Sequence, residues 1–243
     1  MKKELKRFTV GYGDDGDWIL NSKLTRDIKA ADIIIIPGGI DVGSSMYNEP
    51  RGHYTQAGEP GHRDEVESKA LEYAFNEGLY GLGICRGAQL QTVLAGGKLV
   101  QHVTNHHGSH DCKTIDGDII HTNSIHHQMC YPWDLPEDEY IVIAWTEGLS
   151  TTYLNGYNEE ISFPNIALTE DGNVIEPEII WYPKKRWLGA QWHPEMYWYK
   201  NVEENHALDY LNKVLQNVIQ DPYYYHKVKQ ENESTKLSKS GKI

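Results

Sequence analysis

Continuous runs of apolar residues, separated by turn residues, predict a buried β-sheet. The clearest run is 31–36, Ala-Asp-Ile-Ile-Ile-Ile, which is followed by Pro-Gly-Gly at 37–39. A β-branched run of this kind, without polar alternation, is typical of a central parallel strand that is covered on both faces. Other apolar runs predict five further strands. They lie at residues 8–12, 82–84, 141–144, 178–182 and 188–192.

Segments with apolar residues at helical spacing lie between these strands. Apolar positions recur every three to four residues in 63–75, 86–95 and 202–219, and a shorter helix is predicted within 20–28. Strands that alternate with helices are typical of the α/β class. The pattern therefore predicts a doubly wound, mostly parallel sheet with flanking helices.

Two segments depart from this alternation. Residues 146–177 carry turn signals at 155–156 and 171–173, and we expect an insertion there that forms a lid, a partner surface or a hairpin. Residues 226–243 have few large apolar residues and are rich in Lys, Ser and Glu, which predicts a disordered tail. We therefore expect one domain over residues 1–225 that carries the insertion.

Charge and cysteine usage restrict the partners and the compartment. The 243 residues carry a formal net charge of −12, which argues against nucleic acid or an anionic membrane as a partner. No apolar run approaches the roughly 20 residues of a membrane span, and the basic first residues lack the apolar segment of a signal peptide. The three cysteines, Cys85, Cys112 and Cys130, are odd in number and widely spaced, which favours free thiols in a reducing cytoplasm.

One cysteine lies in a glycine-rich turn between a predicted strand and a predicted helix. Residues 83–87 read Gly-Ile-Cys-Arg-Gly, with Cys85 at the centre. This is the thiol form of the nucleophile elbow, in which the chain reverses from strand to helix within about one residue. Side chains two positions before and after the nucleophile would collide, so both positions are glycine. The start of the helix favours the thiolate, which is the nucleophilic form.

A second motif, far along the chain, supplies the groups that a cysteine nucleophile needs. Residues 189–195 read Gly-Ala-Gln-Trp-His-Pro-Glu. A nucleophilic cysteine needs a base within hydrogen-bond reach, and this base needs an acceptor that orients it. His193 and Glu195 are residues of these two types. The alternative, a buried structural cysteine in a glycine-rich turn, does not account for this second motif.

Together these motifs resemble the class I glutamine amidotransferase-like family of cysteine hydrolases. Within it, the chain is similar to the γ-glutamyl hydrolase branch that includes γ-glutamyl-γ-aminobutyrate hydrolase (peptidase C26). Three signatures carry the resemblance: Gly-Ile-Cys-Arg-Gly-x-Gln at 83–89, Asn-Ser-x-His-His-Gln at 123–128 and Gln-Trp-His-Pro-Glu at 191–195. The resemblance covers about residues 30–220 and implies a flavodoxin-like α/β fold.

The resemblance also implies a reaction that needs no cofactor. The thiolate of Cys85 attacks the carbonyl of a γ-glutamyl amide and forms a thioester. His193 protonates the leaving amine and then activates water. Glu195 fixes the tautomer of the imidazole. The implied partner is thus a small γ-glutamyl substrate.

Further site residues follow from the same resemblance. The oxyanion is held by an N–H group of the Gly38-Gly39 turn, either glycine being possible, and by the N–H group of Arg86. Gln89, one helical turn after the nucleophile, and His127 are expected to bind substrate; the histidine next to His127 is the alternative. The plainer interpretations are that Gln89 is an exposed polar residue on the helix and that His127 belongs to a polar strand end.

Two groups of charged or metal-binding side chains stay open. Arg63 and Asp64 either favour the start of a helix through its dipole or brace the site from behind. Five histidines between 102 and 121 resemble a metal cluster at first sight. Zinc sites prefer short fixed spacings on rigid elements, whereas these histidines are expected in a loop and the resembling branch is metal-free. We therefore expect no metal.

Three functions are compatible with these residues. The first is a free-standing γ-glutamyl hydrolase, favoured by Arg86 and the His-His-Gln segment. The second is a glutaminase subunit that supplies ammonia to a separate synthetase partner, and the insertion at 146–177 keeps it open. The third is an inactive binding module, against which the complete Cys-His-Glu set argues.

Overall fold

A β-sheet runs through the computed structural model, which describes residues 4–11, 16–198 and 206–240. In chain order, the strands of these residues are β1 (Leu5–Thr9), β2 (Ser22–Leu24), β3 (Ile33–Ile36), β4 (Tyr80–Ile84), β5 (Lys98–Val100), β6 (His102–Val103), β7 (His107–Thr114), β8 (Ile119–Ile125), β9 (Met129–Tyr131), β10 (Ile141–Glu147), β11 (Tyr153–Leu154), β12 (Ile175–Tyr182) and β13 (Trp187–Ala190). Within the described part, nine of them form the main sheet in the order β2-β1-β3-β4-β13-β12-β10-β7-β8.

The sheet has a parallel part and an antiparallel part. In sheet order, the five strands β2, β1, β3, β4 and β13 are parallel to their neighbours in this group. The next four strands, β12, β10, β7 and β8, are each antiparallel to the strand before them. The described helices are α1 (His62–Glu77), α2 (Arg86–Leu94), α3 (Glu195–Trp198), α4 (His206–Gln220) and α5 (Tyr224–Ser240). The predicted α/β class, with parallel strands and flanking helices, is confirmed, and the antiparallel strands widen the sheet on one side.

Strand β3 lies between two helical layers. Its side chains alternate, so the first and third isoleucines join a core with Leu211 and Val214 of α4, and the second and fourth join one with Leu71 and Leu90 of α1 and α2. All four isoleucines are at most 2% exposed. Full burial of an isoleucine contributes roughly 1.5–3 kcal/mol, so this strand holds both layers to the sheet.

The N-terminal region differs from the predicted pattern. The first strand begins three residues earlier than predicted, at Leu5, and the end of the predicted strand, Tyr12, lies outside the described residues. The helix expected within 20–28 is absent from the described residues: β2 pairs in parallel with β1, and a short 3₁₀ turn, Ile28–Ala30, follows. The reason is that Trp18 and Ile19 are already buried in the α4-side core, so the chain passes along the sheet edge in extended form.

The C-terminal segment also differs from its prediction. Where a disordered tail was expected over 226–243, the structure has α5 up to Ser240, and 241–243 lie outside the described residues. Lys, Glu and Gln are good helix formers, so a polar composition does not exclude a helix. Tyr225 is fully buried, and Asn232 donates to the backbone carbonyl of Ile115 at 2.8 Å, which attaches the helix to the domain.

The expected insertion at 146–177 covers the end of β10, the start of β12 and the segment between these strands. In that segment β11 pairs with β6 in an antiparallel arrangement. Tyr153 packs with Val100, Val103 and Met129 in a separate apolar cluster. This segment is therefore packed against the β5–β9 region. Among the described helices, none combines the length and the apolar character that crossing a membrane requires.

Candidate active site

The turn between β4 and α2 holds Cys85 in a strained conformation. Its φ is 49° and its ψ is −107°, and the residue is 6% exposed. A Cβ at Gly83 would lie 2.5 Å from the carbonyl carbon of Gly87, and one at Gly87 would collide with the carbonyl oxygen of Ile36. Only glycine fits at either position, which is the packing that the Gly-x-Cys-x-Gly motif predicted. A strained, positive-φ residue at this turn is typical of a functional site.

The His-Pro-Glu motif lies beside this turn because β13 is the parallel neighbour of β4. The backbone N–H of Cys85 donates to the carbonyl of Ala190 at 2.7 Å. His193 Nδ1 lies 2.6 Å from Glu195 Oε1, and the imidazole also interacts with Cys85. Two segments about a hundred residues apart in the chain thus bring a thiol, an imidazole and a carboxylate close to one another.

The surroundings of His193 favour its charged form. Burial opposes a charge on the ring, but hydrogen bonds and charge interactions with Cys85 and Glu195 outweigh burial and raise the pKa of His193 to about 10. At neutral pH the ring is therefore an imidazolium between a sulfur and a carboxylate. Such a ring can donate a proton to a leaving group.

Asn123 on β8 fixes the backbone of His193. Its side-chain oxygen accepts from the N–H of His193 at 2.8 Å, and its amide donates to the carbonyl of His193, also at 2.8 Å. No role was predicted for Asn123 from the sequence, although it belongs to one of the three signatures. Its position as the first residue of Asn-Ser-x-His-His-Gln was the available signal.

The Gly38-Gly39 turn approaches the triad closely. A Cβ on Gly38 would lie 2.8 Å from His193 Cε1 and 3.5 Å from Cys85 Cβ, and one on Gly39 would collide with the guanidinium of Arg63. Arg63 Nη2 donates to the carbonyls of Pro37 at 2.9 Å and Gly38 at 2.8 Å. Arg63 thus holds the turn on one side, and the other side of the turn faces Cys85 and His193.

Four charged side chains form a network behind this turn. The guanidinium of Arg86 is buried and forms ion pairs with Asp64 and Glu67. Glu67 also accepts from Arg63 Nε at 2.7 Å. The side chain of Arg86 therefore points into the protein, and the expected contact of this residue with the oxyanion can come only from its backbone N–H at the start of α2. Of the two interpretations left open, bracing of the site fits Arg63, whereas Asp64 fits both, because its Oδ1 pairs with Arg86 and its Oδ2 accepts from the N–H of Gly61 at the start of α1 at 2.8 Å.

The two residues expected to bind substrate, Gln89 and His127, lie together at the segment 127–128. Gln89 is 3% exposed and donates from Nε2 to the carbonyl of Gln128 at 3.1 Å. His127 Nε2 lies 3.0 Å from Asp41 Oδ1, with a quarter of its side chain exposed. The alternative residue, His126, points to the opposite side and is buried.

Beside the segment 127–128, three histidines contact two buried glutamates. His106 Nε2 lies 3.1 Å from Glu176 Oε2, and His110 Nε2 lies 3.0 Å from Glu178 Oε1. Burial would raise the pKa of Glu178, but the nearby His110 and His126, the first of them at 3.0 Å, lower it to about 2. Burial lowers the pKa of His126 to about 4.

This cluster corrects one expectation about the chain. Residues 107–114 form strand β7, so the histidines lie on and beside rigid strands and not in a loop. The glutamates are on β12, about 70 residues away, and were missed because they read as interruptions of an apolar run. The pairing of distant antiparallel strands, which brings the histidines and glutamates together, has no local signal.

Comparisons with known proteins agree with the fold and with the family resemblance of the sequence. A family model described as Peptidase C26 matches residues 20–129. A protein of Lactococcus lactis subsp. lactis, named as the glutamine amidotransferase-like protein YvdE, is 30% identical over 171 residues, which are 69% of this chain and 67% of that protein.

Two solved structures share the fold. One, from Thermoplasma acidophilum, is named as a GMP synthase subunit, with a TM-score of 0.52 and 15% identity over 93% of this chain and 98% of that chain. The other is a glutamine amidotransferase from Thermotoga maritima, with a TM-score of 0.50 and 12% identity over 95% of this chain and 93% of that chain. At such identities the likeness establishes the fold alone.

Proposed function

Because the chain belongs to the glutamine amidotransferase-like, peptidase C26 family of hydrolases, we propose that it cleaves a γ-glutamyl amide bond through a thioester on Cys85. The observation that carries the proposal is that the His193 imidazole, 2.6 Å from the Glu195 carboxylate, also interacts with Cys85 at the strained turn. A thiol held beside an imidazolium in a strained turn suits nucleophilic attack on an acyl carbon.

In the first half of the reaction, the Cys85 sulfur attacks the side-chain carbonyl carbon of the γ-glutamyl group as the thiolate, which is paired with the His193 imidazolium. The carbon–sulfur bond forms, and the carbonyl oxygen becomes an oxyanion. The C–N bond then breaks while His193 gives its proton to the leaving amine. In the second half, neutral His193 takes a proton from water, the hydroxide attacks the thioester, and glutamate leaves as the sulfur is released.

The oxyanion would be held by backbone N–H groups. In a trans peptide the N–H points away from the C=O, so the two carbonyls bound by Arg63 direct the N–H groups of Gly38 and Gly39 to the other side of the turn. The N–H of Arg86 at the start of α2 would be the second donor. One donor of this kind contributes about 10²–10³-fold in rate.

The site is braced by residues of its own chain, which favours a free-standing hydrolase. Arg63 holds the Gly38 turn, and the buried pairs of Arg86 with Asp64 and Glu67 hold the start of α2. A site that is assembled in this way does not need a partner to order it. We therefore expect turnover by the isolated protein.

The test is release of glutamate by the purified protein from glutamine and from a panel of γ-glutamyl amines. Cys85→Ser should abolish turnover, since a hydroxyl lacks thiolate character, whereas Cys130→Ser should keep it. A thioester should appear in the intact mass of wild type quenched with acid during turnover. Wild-type turnover by Cys85→Ser would exclude the mechanism.

A second candidate function is a glutaminase subunit that supplies ammonia to a synthetase. The observation in its favour is the fold shared with a protein named as a GMP synthase subunit. In that case the isolated protein would be nearly silent on every substrate, and a synthetase from the same source would activate it. The segment between β10 and β12 would then be the first place to search for the docking surface.

A further inference from the structure

The buried histidine–glutamate cluster has the hydrogen-bond pattern of a metal site. Metal-binding histidines usually donate the N–H of their second ring nitrogen to a carboxylate or a carbonyl. His126 Nδ1 lies 2.9 Å from the carbonyl of Gln128, so this nitrogen carries the hydrogen. His106 Nε2 faces the carboxylate of Glu176 at 3.1 Å in the same way. In each neutral ring, the other nitrogen therefore carries a lone pair.

These two lone pairs face one carboxylate. His106 Nδ1 and His126 Nε2 lie 3.7 Å and 3.8 Å from Glu178 Oε1. Both nitrogens and Glu178 Oε2 are buried and have no hydrogen-bond partner among the described residues. Lone pairs that face a carboxylate repel it, and buried polar atoms without a hydrogen-bond partner destabilise the fold. An atom that accepts electron pairs from all of them would remove both costs.

The charge of the cluster leads to the same conclusion. Glu176 and Glu178 are fully buried, and in the described part of the chain their ion-pair partners are histidines, with neither Lys nor Arg among them. The other hydrogen bonds to the Glu176 carboxylate come from neutral donors, the N–H of Ser150 at 2.8 Å and the hydroxyl of Tyr153. Neither buried carboxylate is thus paired with a permanently charged side chain. A divalent ion would neutralise both.

We propose that His106 Nδ1, His126 Nε2 and the carboxylate of Glu178 bind a divalent transition-metal ion, best fitted by Zn²⁺. Two imidazoles and a carboxylate are a zinc ligand set, whereas Mg²⁺ and Ca²⁺ prefer oxygen alone. Ligands of a tetrahedral zinc at about 2.0–2.1 Å are roughly 3.3 Å apart, so the observed spacings need to shorten by only a few tenths of an ångström. The unpaired Oε2 allows Glu178 to bind with both oxygens.

The surrounding residues would orient these ligands. Glu176 holds the ring of His106, and His110 Nε2, 3.0 Å from Glu178 Oε1, holds the carboxylate. The ion would connect the two ends of the β7–β8 hairpin to β12. The same hairpin carries Asn123, and the chain after it carries His127. The role that follows is structural: the metal stiffens the segment that carries His127 and touches no reacting atom.

The experiment uses the full chain without a histidine tag, in the Cys85→Ser background, so that the elbow thiol cannot bind metal and activity is not the readout. We expect one zinc per chain by elemental analysis after incubation with Zn²⁺ and desalting. Zn²⁺ should raise the melting temperature, and a chelator should lower it. Co²⁺ in place of Zn²⁺ should give the visible absorption of a tetrahedral site.

Variants separate the ligands from their surroundings. His106→Ala and His126→Ala should lose the bound metal, and Glu176→Gln should weaken affinity roughly 10- to 100-fold because it only orients a ligand. His107→Ala is the matched control, since this histidine is on the same hairpin but exposed, and it should bind as the parent does. No stoichiometric zinc in the folded parent, and no change of its melting temperature with Zn²⁺ or chelator, would overturn the proposal whether or not the enzyme hydrolyses γ-glutamyl amides.

Discussion

The side-chain amide of Asn123 holds both backbone polar groups of His193. It accepts from the N–H and donates to the carbonyl, each at 2.8 Å, although the two residues are 70 positions apart. The proposed general acid is thereby fixed to β8, which belongs to the antiparallel part of the sheet, while Cys85 is fixed to β4 in the parallel part. The site therefore depends on how these two parts of the sheet are held together.

Asn123→Asp should be impaired more in kcat than in KM. An aspartate can still accept from the N–H of His193, but it cannot donate to the carbonyl, and a net loss of about 1 kcal/mol in stability is expected for one such bond. Steady-state kinetics on the best γ-glutamyl amine, with thermal melts, measure both effects. Asn232→Ala, which removes one bond from an asparagine to the carbonyl of Ile115 far from the site, should keep the wild-type kcat. Equal kcat values in both variants would contradict a positioning role.

The local part of the site could be predicted from the sequence. The elbow requires glycine at 83 because of a contact with the backbone of Gly87, four residues away, whereas glycine at 87 is required by the backbone of Ile36 on β3; only the first constraint is local to the motif. His193 and Glu195 are two residues apart, and their hydrogen bond at 2.6 Å is equally local. Local constraints of this kind leave a readable pattern.

The remaining features depend on contacts between distant elements. The ion pairs of Arg86 with α1 depend on how α1 and α2 cross the sheet, and the meeting of His106 with Glu176 depends on the order of antiparallel strands. Helix α5 was missed because its composition resembles that of a disordered segment, whereas one buried tyrosine, Tyr225, anchors it. A single sequence gives no pattern for such pairings.

The proposed acid should set an alkaline limit to the reaction. Because the pKa of His193 is raised to about 10, the imidazolium is present throughout neutral pH and is lost as the pH rises through about 10. We therefore expect kcat/KM to be level around neutrality and to fall above about pH 10.

Glu195→Gln should move this limit to lower pH, because it removes one of the two groups that raise the pKa of His193. The kcat at neutral pH should fall as well, though by less than in His193→Ala, since orientation is only part of the function of the histidine. Profiles of kcat/KM from about pH 6 to about pH 10.5, a range that includes the titration of the ring, measure the effect. An alkaline limit at the same pH in wild type and Glu195→Gln would count against this assignment.

Arg63 should act on the rate through the turn that it holds. Arg63→Ala leaves the carbonyls of Pro37 and Gly38 without their donor, so the N–H groups proposed for the oxyanion lose their fixed direction. The loss in kcat should approach the 10²–10³-fold of an oxyanion donor, with a smaller change in KM. Lys29→Ala is the control, because it removes an exposed cation away from the turn. If Arg63→Ala lowers the melting temperature but leaves the kcat of the folded protein unchanged, the guanidinium is only structural.

Gly38→Ala tests the close approach of the turn to the triad most directly. The added methyl group would lie 2.8 Å from His193 Cε1 and 3.5 Å from Cys85 Cβ, so either the ring or the turn has to move. Displacement by about 1 Å at a reacting group costs on the order of 10²-fold in rate, and we expect at least this loss in kcat. Gly61→Ala is the matched control, because its methyl group would find its nearest neighbour, Asp64 Oδ2, at 3.8 Å. Both variants should remain folded by circular dichroism, since neither glycine has a positive φ. Wild-type turnover by Gly38→Ala would show that the turn does not border the reacting atoms.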